Sequence, residues 1–212
     1  MSKVKVAGFS VSLDGFGAGS DQSLENPLGR RGEELHEWIF NTRFFKDMIG
    51  EGGGVDGVDQ DFAHAAMDGF GAHILGRNMF APSRGDWTDD AWKGWWGDNP
   101  PYHVPTFVLT HYPRDPIVME GGTTFYFVNG AMAALEQARA AAGNLDVKVG
   151  GGVSTVRQYL TAGVIDEMHL AISPVVLGQG EALFTGLDLP ALGYRVTSST
   201  ASDLATHVTF SR

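Results

Sequence analysis

The chain has 212 residues, 43% hydrophobic and 19% charged, the balance of a globular protein with enough apolar residues for a substantial core. A formal charge of −10 argues against a nucleic-acid partner, which needs a basic footprint, and the absence of cysteine excludes disulfides, thiolate metal sites and a cysteine nucleophile. No stretch approaches the ~18 apolar residues of a membrane span, and "MSKVKVAGFSVSLDGF", broken by Lys5 and Asp14, does not read as a signal peptide.

A cytoplasmic protein with a single domain over residues 1–212 is therefore expected. Lys3 and Lys5 alternate with Val4 and Val6, then the phase slips so that Ala7, Phe9, Val11 and Leu13 share a face; this reads as a strand with a bulge near Ala7. "DGFGAGS" is a loop. A helix is expected from about Gly32 to Ile49, with Leu35, Trp38 and Ile39 as its apolar stripe. A second follows from Asp59 to Gly69, with Asp59 as its cap.

"AHILG" is a short buried strand ending at Gly76. Residues 81–105 are irregular and hold four of the five tryptophans; they read as a packed loop, a subunit contact or the wall of a pocket for a flat ring. "PTFVLTHYP" is a strand stopped by Pro113, "TTFYFV" is another, and "NGAMAALEQARAAAG" is an alanine-rich helix stopped by Gly143. A strand at Val147–Val149, a glycine triplet and a helix to about Ala162 come next. "DEMHLAIS" alternates like a strand, and "GYRVTSST" and "ATHVTFSR" read as a closing hairpin. About eight strands and four helices result. The expected fold class is α/β, with a mostly parallel central sheet, flanking helices and an antiparallel C-terminal edge.

Four strand ends carry residues suited to a ligand. Gly150, Gly151 and Gly152, followed by Val153, Ser154 and Thr155, stand where a strand passes into a helix. Glycines there let phosphate oxygens reach the N–H groups of the first helical turn, and the two hydroxyls add donors. The same triplet also lets a helix pack close to its strand. Gly76 and Arg77 follow the "HIL" strand, and an arginine fork suits phosphate, although it also serves in ordinary surface pairs. Thr110 and His111, with Arg114 nearby, follow "FVL" and form either a polar pocket or a plain proline-stopped turn. Asp14 ends the first strand, where a carboxylate can relay a proton, hold a ring N–H, or simply make a good Asp-Gly turn. In open α/β sheets ligands sit outside the carboxyl ends of strands, so the coincidence carries more weight than any one motif.

"SVSLDGF", "ILGRNMF", "FVLTHYP", "VKVGGGVSTVRQYL" and "DEMHLAISPVVLGQGEALF", in that order, resemble the dihydrofolate reductase-like superfamily, and most closely the reductase domain of riboflavin biosynthesis and its stand-alone relatives. The resemblance spans almost the whole chain. It implies that NADPH is the cofactor, held by Gly76, Arg77, Thr110, His111 and Gly150 to Thr155, and it implies a homodimer. The acidic residue that dihydrofolate reductases carry on their first helix has no secure counterpart in residues 22–45. There Glu33, Glu34 and Glu37 sit at a helix start and complement its dipole.

The expected activity is hydride transfer from NADPH to a small unsaturated heterocycle or carbonyl substrate, with Asp14 supplying a proton or orienting the substrate. The alternatives are a reduced deazaflavin as donor, or a non-catalytic nucleotide-binding or dimerisation module. No H-x-x-x-H pair occurs and no metal is implied.

Overall fold

In the computed structural model, which describes residues 2–81, 85–89 and 91–212, the first strand, β1, covers Val4–Ser12. A 3-10 turn at Gly32–His36 leads to two short helices, α1 (Glu37–Phe40) and α2 (Arg43–Met48), and α3 follows at Val58–Ala65. Strand β2 (Phe70–Gly76) runs directly into α4 (Arg77–Phe80). Then come β3 (Pro105–Leu109), β4 (Ile117–Val118), β5 (Thr124–Val128), α5 (Ala131–Ala142), β6 (Asp146–Gly151) and α6 (Val153–Thr161). Strands β7 (Glu167–Ser173), β8 (Arg195–Ala201) and β9 (Thr206–Ser211) follow.

The strands are hydrogen-bonded in the order β4-β5-β3-β2-β6-β1-β7-β9-β8. Pairs β1–β6, β2–β6, β2–β3 and β3–β5 are parallel, while β4–β5, β7–β9 and β8–β9 are antiparallel. The expected fold class is thus observed, antiparallel C-terminal edge included. The strand beyond the expected eight is β4, too short to leave an alternation pattern. Contacts divide the chain into two units, Met1–Lys5 with Gly69–Val164, and Val6–Asp68 with Ile165–Arg212.

In the first unit β2 is buried along its whole length, as a strand flanked by parallel neighbours should be. Helix α5 buries Ala134, Leu135, Ala138 and Ala142, a single face at helical spacing. Helix α6 buries Val153, Thr155, Val156, Tyr159 and Leu160. The hydroxyl of Tyr159 donates to the Ala131 carbonyl at 2.7 Å, so the one polar atom of a buried ring is satisfied and ties α6 to α5. A second apolar cluster gathers Leu75, Phe80, Val108, Phe125 and Phe127 beneath Trp87 and Trp92.

In the second unit the expected phase slip in β1 falls on Gly8, whose φ of +68° suits glycine, and where a Cβ would lie 2.7 Å from that of Ala66. The expected helix over 32–49 is interrupted. Thr42 leaves helical geometry at φ −71° and ψ 150°, and its hydroxyl accepts the Phe45 N–H at 3.2 Å, so α2 begins afresh with its own cap. Asp59 does not cap α3. It accepts from Nε2 of His207 at 2.7 Å, and Gly57 stands at the cap position.

That contact belongs to a buried chain of hydrogen bonds. The Gly8 N–H donates to Nδ1 of His169 at 3.1 Å. The His169 proton must therefore sit on Nε2, which donates to Nδ1 of His207 at 3.0 Å and leaves that ring to donate to Asp59. Phe62 stacks on both rings at 4.5 and 4.2 Å. Elements distant in sequence are thereby joined: β1, β7, β9 and α3.

Candidate functional site

In the first unit, strand ends β2, β3 and β6 bring most of the candidate residues together, because parallel pairing places their carboxyl termini side by side. Register sets Gly76 opposite Leu109 and Leu75 opposite Gly151. Only glycine is compatible with this approach. A Cβ on Gly76 would lie 2.4 Å from Oγ1 of Thr155 and 3.2 Å from both Gly151 O and Gly152 N. One on Gly150 would lie 2.8 Å from a methyl of Leu75. Gly151 has φ +129°, and its peptide bond to Gly152 is cis.

Gly152 differs from its neighbours. Its φ is −71°, no side chain caps the helix it precedes, and a Cβ there would meet nothing within 4 Å. Its carbonyl accepts from the N–H groups of Thr155 and Val156, each at 3.1 Å. The Val153 and Ser154 N–H groups therefore open α6 without intrahelical partners, at the positive end of the helix. Ser154 is exposed. Thr155 is buried with its hydroxyl against Gly76, so of the two hydroxyls only that of Ser154 faces outward.

Arg77 begins α4. Its guanidinium donates to the Gly85 carbonyl, to the Asp86 carbonyl at 3.4 Å and to Oγ1 of Thr110 at 3.4 Å. Its Cζ lies 3.7 Å from the ring centroid of Trp87. Thr110 is buried; its N–H donates to Val128 O at 3.0 Å and its Oγ1 accepts from Tyr112 N at 3.1 Å. Arg77 and Thr110 thus share a hydrogen bond, as their places at neighbouring strand ends imply. His111 is exposed beside them.

The reading of residues 81–105 as a packed segment fits its described residues; 82–84 and 90 lie outside them. Trp87 donates to Tyr112 O at 2.6 Å, Trp92 to Phe80 O at 2.7 Å and Trp95 to Asn78 O at 3.2 Å. Each of these indoles is half-buried and spends its only donor on a backbone carbonyl. Trp87 is a neighbour of Arg77 that sequence reasoning did not join to it. The aromatic count of the segment was the available signal.

In the second unit Asp14 is exposed at the end of β1, and its carboxylate accepts from Leu177 N at 3.1 Å and Gly178 N at 2.7 Å. Hydrogen bonding from Ser12, joined by the Gly178 and Leu177 amides, outweighs desolvation and holds its pKa below the usual carboxylate value. The group is ionised at neutral pH. Among the described residues no cluster of histidine, aspartate or glutamate suits a metal ion, and no helix is long and apolar enough to cross a membrane.

The sequence profile of the RibD C-terminal domain matches residues 6–208. No curated protein matches the sequence. Many solved structures resemble the fold, and three of them do so over 100% of this chain. One is described as a riboflavin biosynthesis protein from Shewanella sp. PV-4, with 22% identity, a TM-score of 0.59 and 99% of that chain covered. Another is a diaminohydroxyphosphoribosylaminopyrimidine deaminase/5-amino-6-(5-phosphoribosylamino)uracil reductase from Thermotoga maritima, with 15% identity and a TM-score of 0.55; this chain spans 56% of its length. The third is dihydrofolate reductase from Enterococcus faecalis complexed with NADP(H), with 14% identity, a TM-score of 0.52 and 96% of that chain covered. At such identities the likeness speaks for the fold.

Proposed function

Because the chain belongs to the RibD C-terminal domain family, we propose that it is an NADPH-dependent reductase acting on a small unsaturated heterocycle or carbonyl compound. The observation that carries this reading is the turn from β6 into α6. Its glycines bring strand and helix into backbone contact, and Gly152 leaves open space at the start of a helix that no side chain caps. A diphosphate fits that chemistry, since it needs several converging donors, a positive helix end and no intervening side chain. The Thermotoga relative is named a reductase and the Enterococcus one carries NADP(H), which agrees with this direction.

In this reading the Val153 and Ser154 amides and the Ser154 hydroxyl hold the diphosphate, and Arg77 faces the phosphate on the adenosine ribose. Thr110 steadies Arg77 and His111 lies at the rim. Gly76 and Gly150 keep the strand ends close enough for these groups to converge. When bound, the nicotinamide cofactor supplies the hydride. Asp14, ionised and tied to two backbone amides, orients substrate as a hydrogen-bond acceptor rather than donating a proton. We place the protein in solution as a homodimer, the commonest closed assembly, which light scattering at micromolar concentration tests.

The experiment is a calorimetric titration of NADPH and NADH into the protein, followed by absorbance at the nicotinamide band in the presence of candidate heterocycles and carbonyls. Saturable binding of NADPH supports the reading. Binding of neither dinucleotide contradicts it, and the same titration with a reduced deazaflavin then decides between another hydride donor and a non-catalytic module.

A further inference from the structure

The Trp87 ring carries two guanidinium groups. Cζ of Arg77 lies 3.7 Å from its centroid and Cζ of Arg114 lies 4.1 Å from it. The indole is itself fixed: Nε1 donates to the Tyr112 carbonyl at 2.6 Å, and the ring meets Phe80 and Phe127 edge-on at 5.9 and 5.2 Å. Arg114 is held by its bond to Trp92 O at 3.1 Å and by the Phe127 ring at 4.5 Å.

A stacked guanidinium uses its face, and its N–H donors point outward in the plane of the group. Ring contact therefore orients the donors of Arg77 without consuming any of them. The Gly85 and Asp86 carbonyls and Thr110 Oγ1 accept from its edge, and these contacts fix the direction of the fork.

We propose that Trp87 is a positioning residue that sets selectivity for a phosphate monoester by holding the plane of Arg77, with Arg114 bracing the indole. This deepens the reading above and rests on it: the ester is the 2′-phosphate that separates NADPH from NADH. Trp87 acts through Arg77 and touches no phosphate, so its effect vanishes when Arg77 is gone.

The test is calorimetry of NADPH and NADH with wild type, Trp87→Leu, Trp87→Phe, Arg77→Ala and the double variant Trp87→Leu/Arg77→Ala, each first checked for an unaltered fold by far-ultraviolet circular dichroism and a cooperative thermal melt. Trp87→Leu weakens NADPH by roughly 5- to 30-fold, the range of a desolvated cation–π contact, and changes NADH by less than about twofold. Trp87→Phe keeps a ring and recovers most of the loss. In the Arg77→Ala background Trp87→Leu has no further effect on the NADPH-to-NADH ratio. An unchanged ratio in Trp87→Leu, or additive losses in the double variant, overturns the assignment of Trp87 while the reductase reading stands. Binding of neither dinucleotide to wild type overturns both.

Discussion

Gly76 and Thr155 touch so closely that a methyl group on the glycine would lie 2.4 Å from the threonine hydroxyl. This contact locks the end of β2 against the first turn of α6, and everything attributed to the strand-end site depends on it. Gly76→Ala should destabilise the protein by about 1–3 kcal/mol, the usual range for overpacking. Thr155→Ala should recover part of that loss in the double variant, though not all, because Gly151 O and Gly152 N also lie 3.2 Å away. Urea denaturation of both single variants and the double variant measures the coupling, and strictly additive losses would show that the two residues do not meet.

Asp14 predicts a pH dependence with a definite sign. Its carboxyl titrates below the ordinary 3.8 because Ser12, Gly178 and Leu177 hydrogen-bond the charged form. A lowered carboxylate contributes stability that is present above 3.8 and fades as the pH falls through the folded value. Asp14→Asn should therefore melt below wild type at pH 7, with the difference shrinking as the pH falls below 3.8. A difference that persists undiminished in acid would mean that the carboxylate is not the source of the effect.

The chain from Gly8 through His169 and His207 to Asp59 has every position assigned, since the Gly8 N–H dictates both imidazole tautomers. Asp59→Ala leaves the buried Nε2–H of His207 without its carboxylate, a loss of about 1–3 kcal/mol. The local consequence should be sharper than the global one. Amide exchange in α3, over Val58–Ala65, should accelerate while β7 and β9 stay protected. Unchanged exchange in α3 would show that Asp59 does not pin it.

Periodicity and punctuation made most of the sheet legible in the sequence. The valines at 147 and 149 alternate, and a glycine stop at Gly143 ends the alanine-rich helix. What escaped depends on partners distant in the chain. Thr42 looks like one more residue in a helical stretch until its hydroxyl is seen capping the next segment. The two-residue strand β4 exists only because β5 pairs with it. At the site, the glycines and Arg77 were visible as types, but the Gly85 and Asp86 carbonyls that receive Arg77 carry no signature of residue type. Nor does the motif "GGGVST" reveal that Ser154 faces out while Thr155 turns inward.

Lys148 stands in register with Lys5 on β1 and His73 on β2, a row of three bases across parallel strands. Burial pushes the Lys148 amine down to about 8. Burial, and then the charge of Lys148, holds His73 well below 6.5. For a depressed base the unfolded chain binds more protons, so stability rises with pH over the interval between the two values. Lys148 should make the protein more stable as pH climbs from about 8 toward 10.5. Lys148→Met should flatten that rise, as read from urea midpoints at several pH values in the interval. An identical slope in the variant would place the titration elsewhere.

The strand-end turn as a dinucleotide site is tested most directly at Gly152, where an added Cβ meets nothing within 4 Å at a φ of −71°. NADPH and NADH are titrated by calorimetry into wild type, Gly152→Ala and Arg77→Ala, with melting temperatures as the control for folding. The methyl of Gly152→Ala fills open space at the start of α6, where the diphosphate is proposed to sit, so both dinucleotides should weaken together, by at least about tenfold, with little change in melting temperature. Arg77→Ala should weaken NADPH by one to two orders of magnitude, as expected for about 1.5–3 kcal/mol from a charge-assisted contact, and leave NADH nearly unaffected. Undiminished binding of both dinucleotides to a folded Gly152→Ala protein would contradict the account.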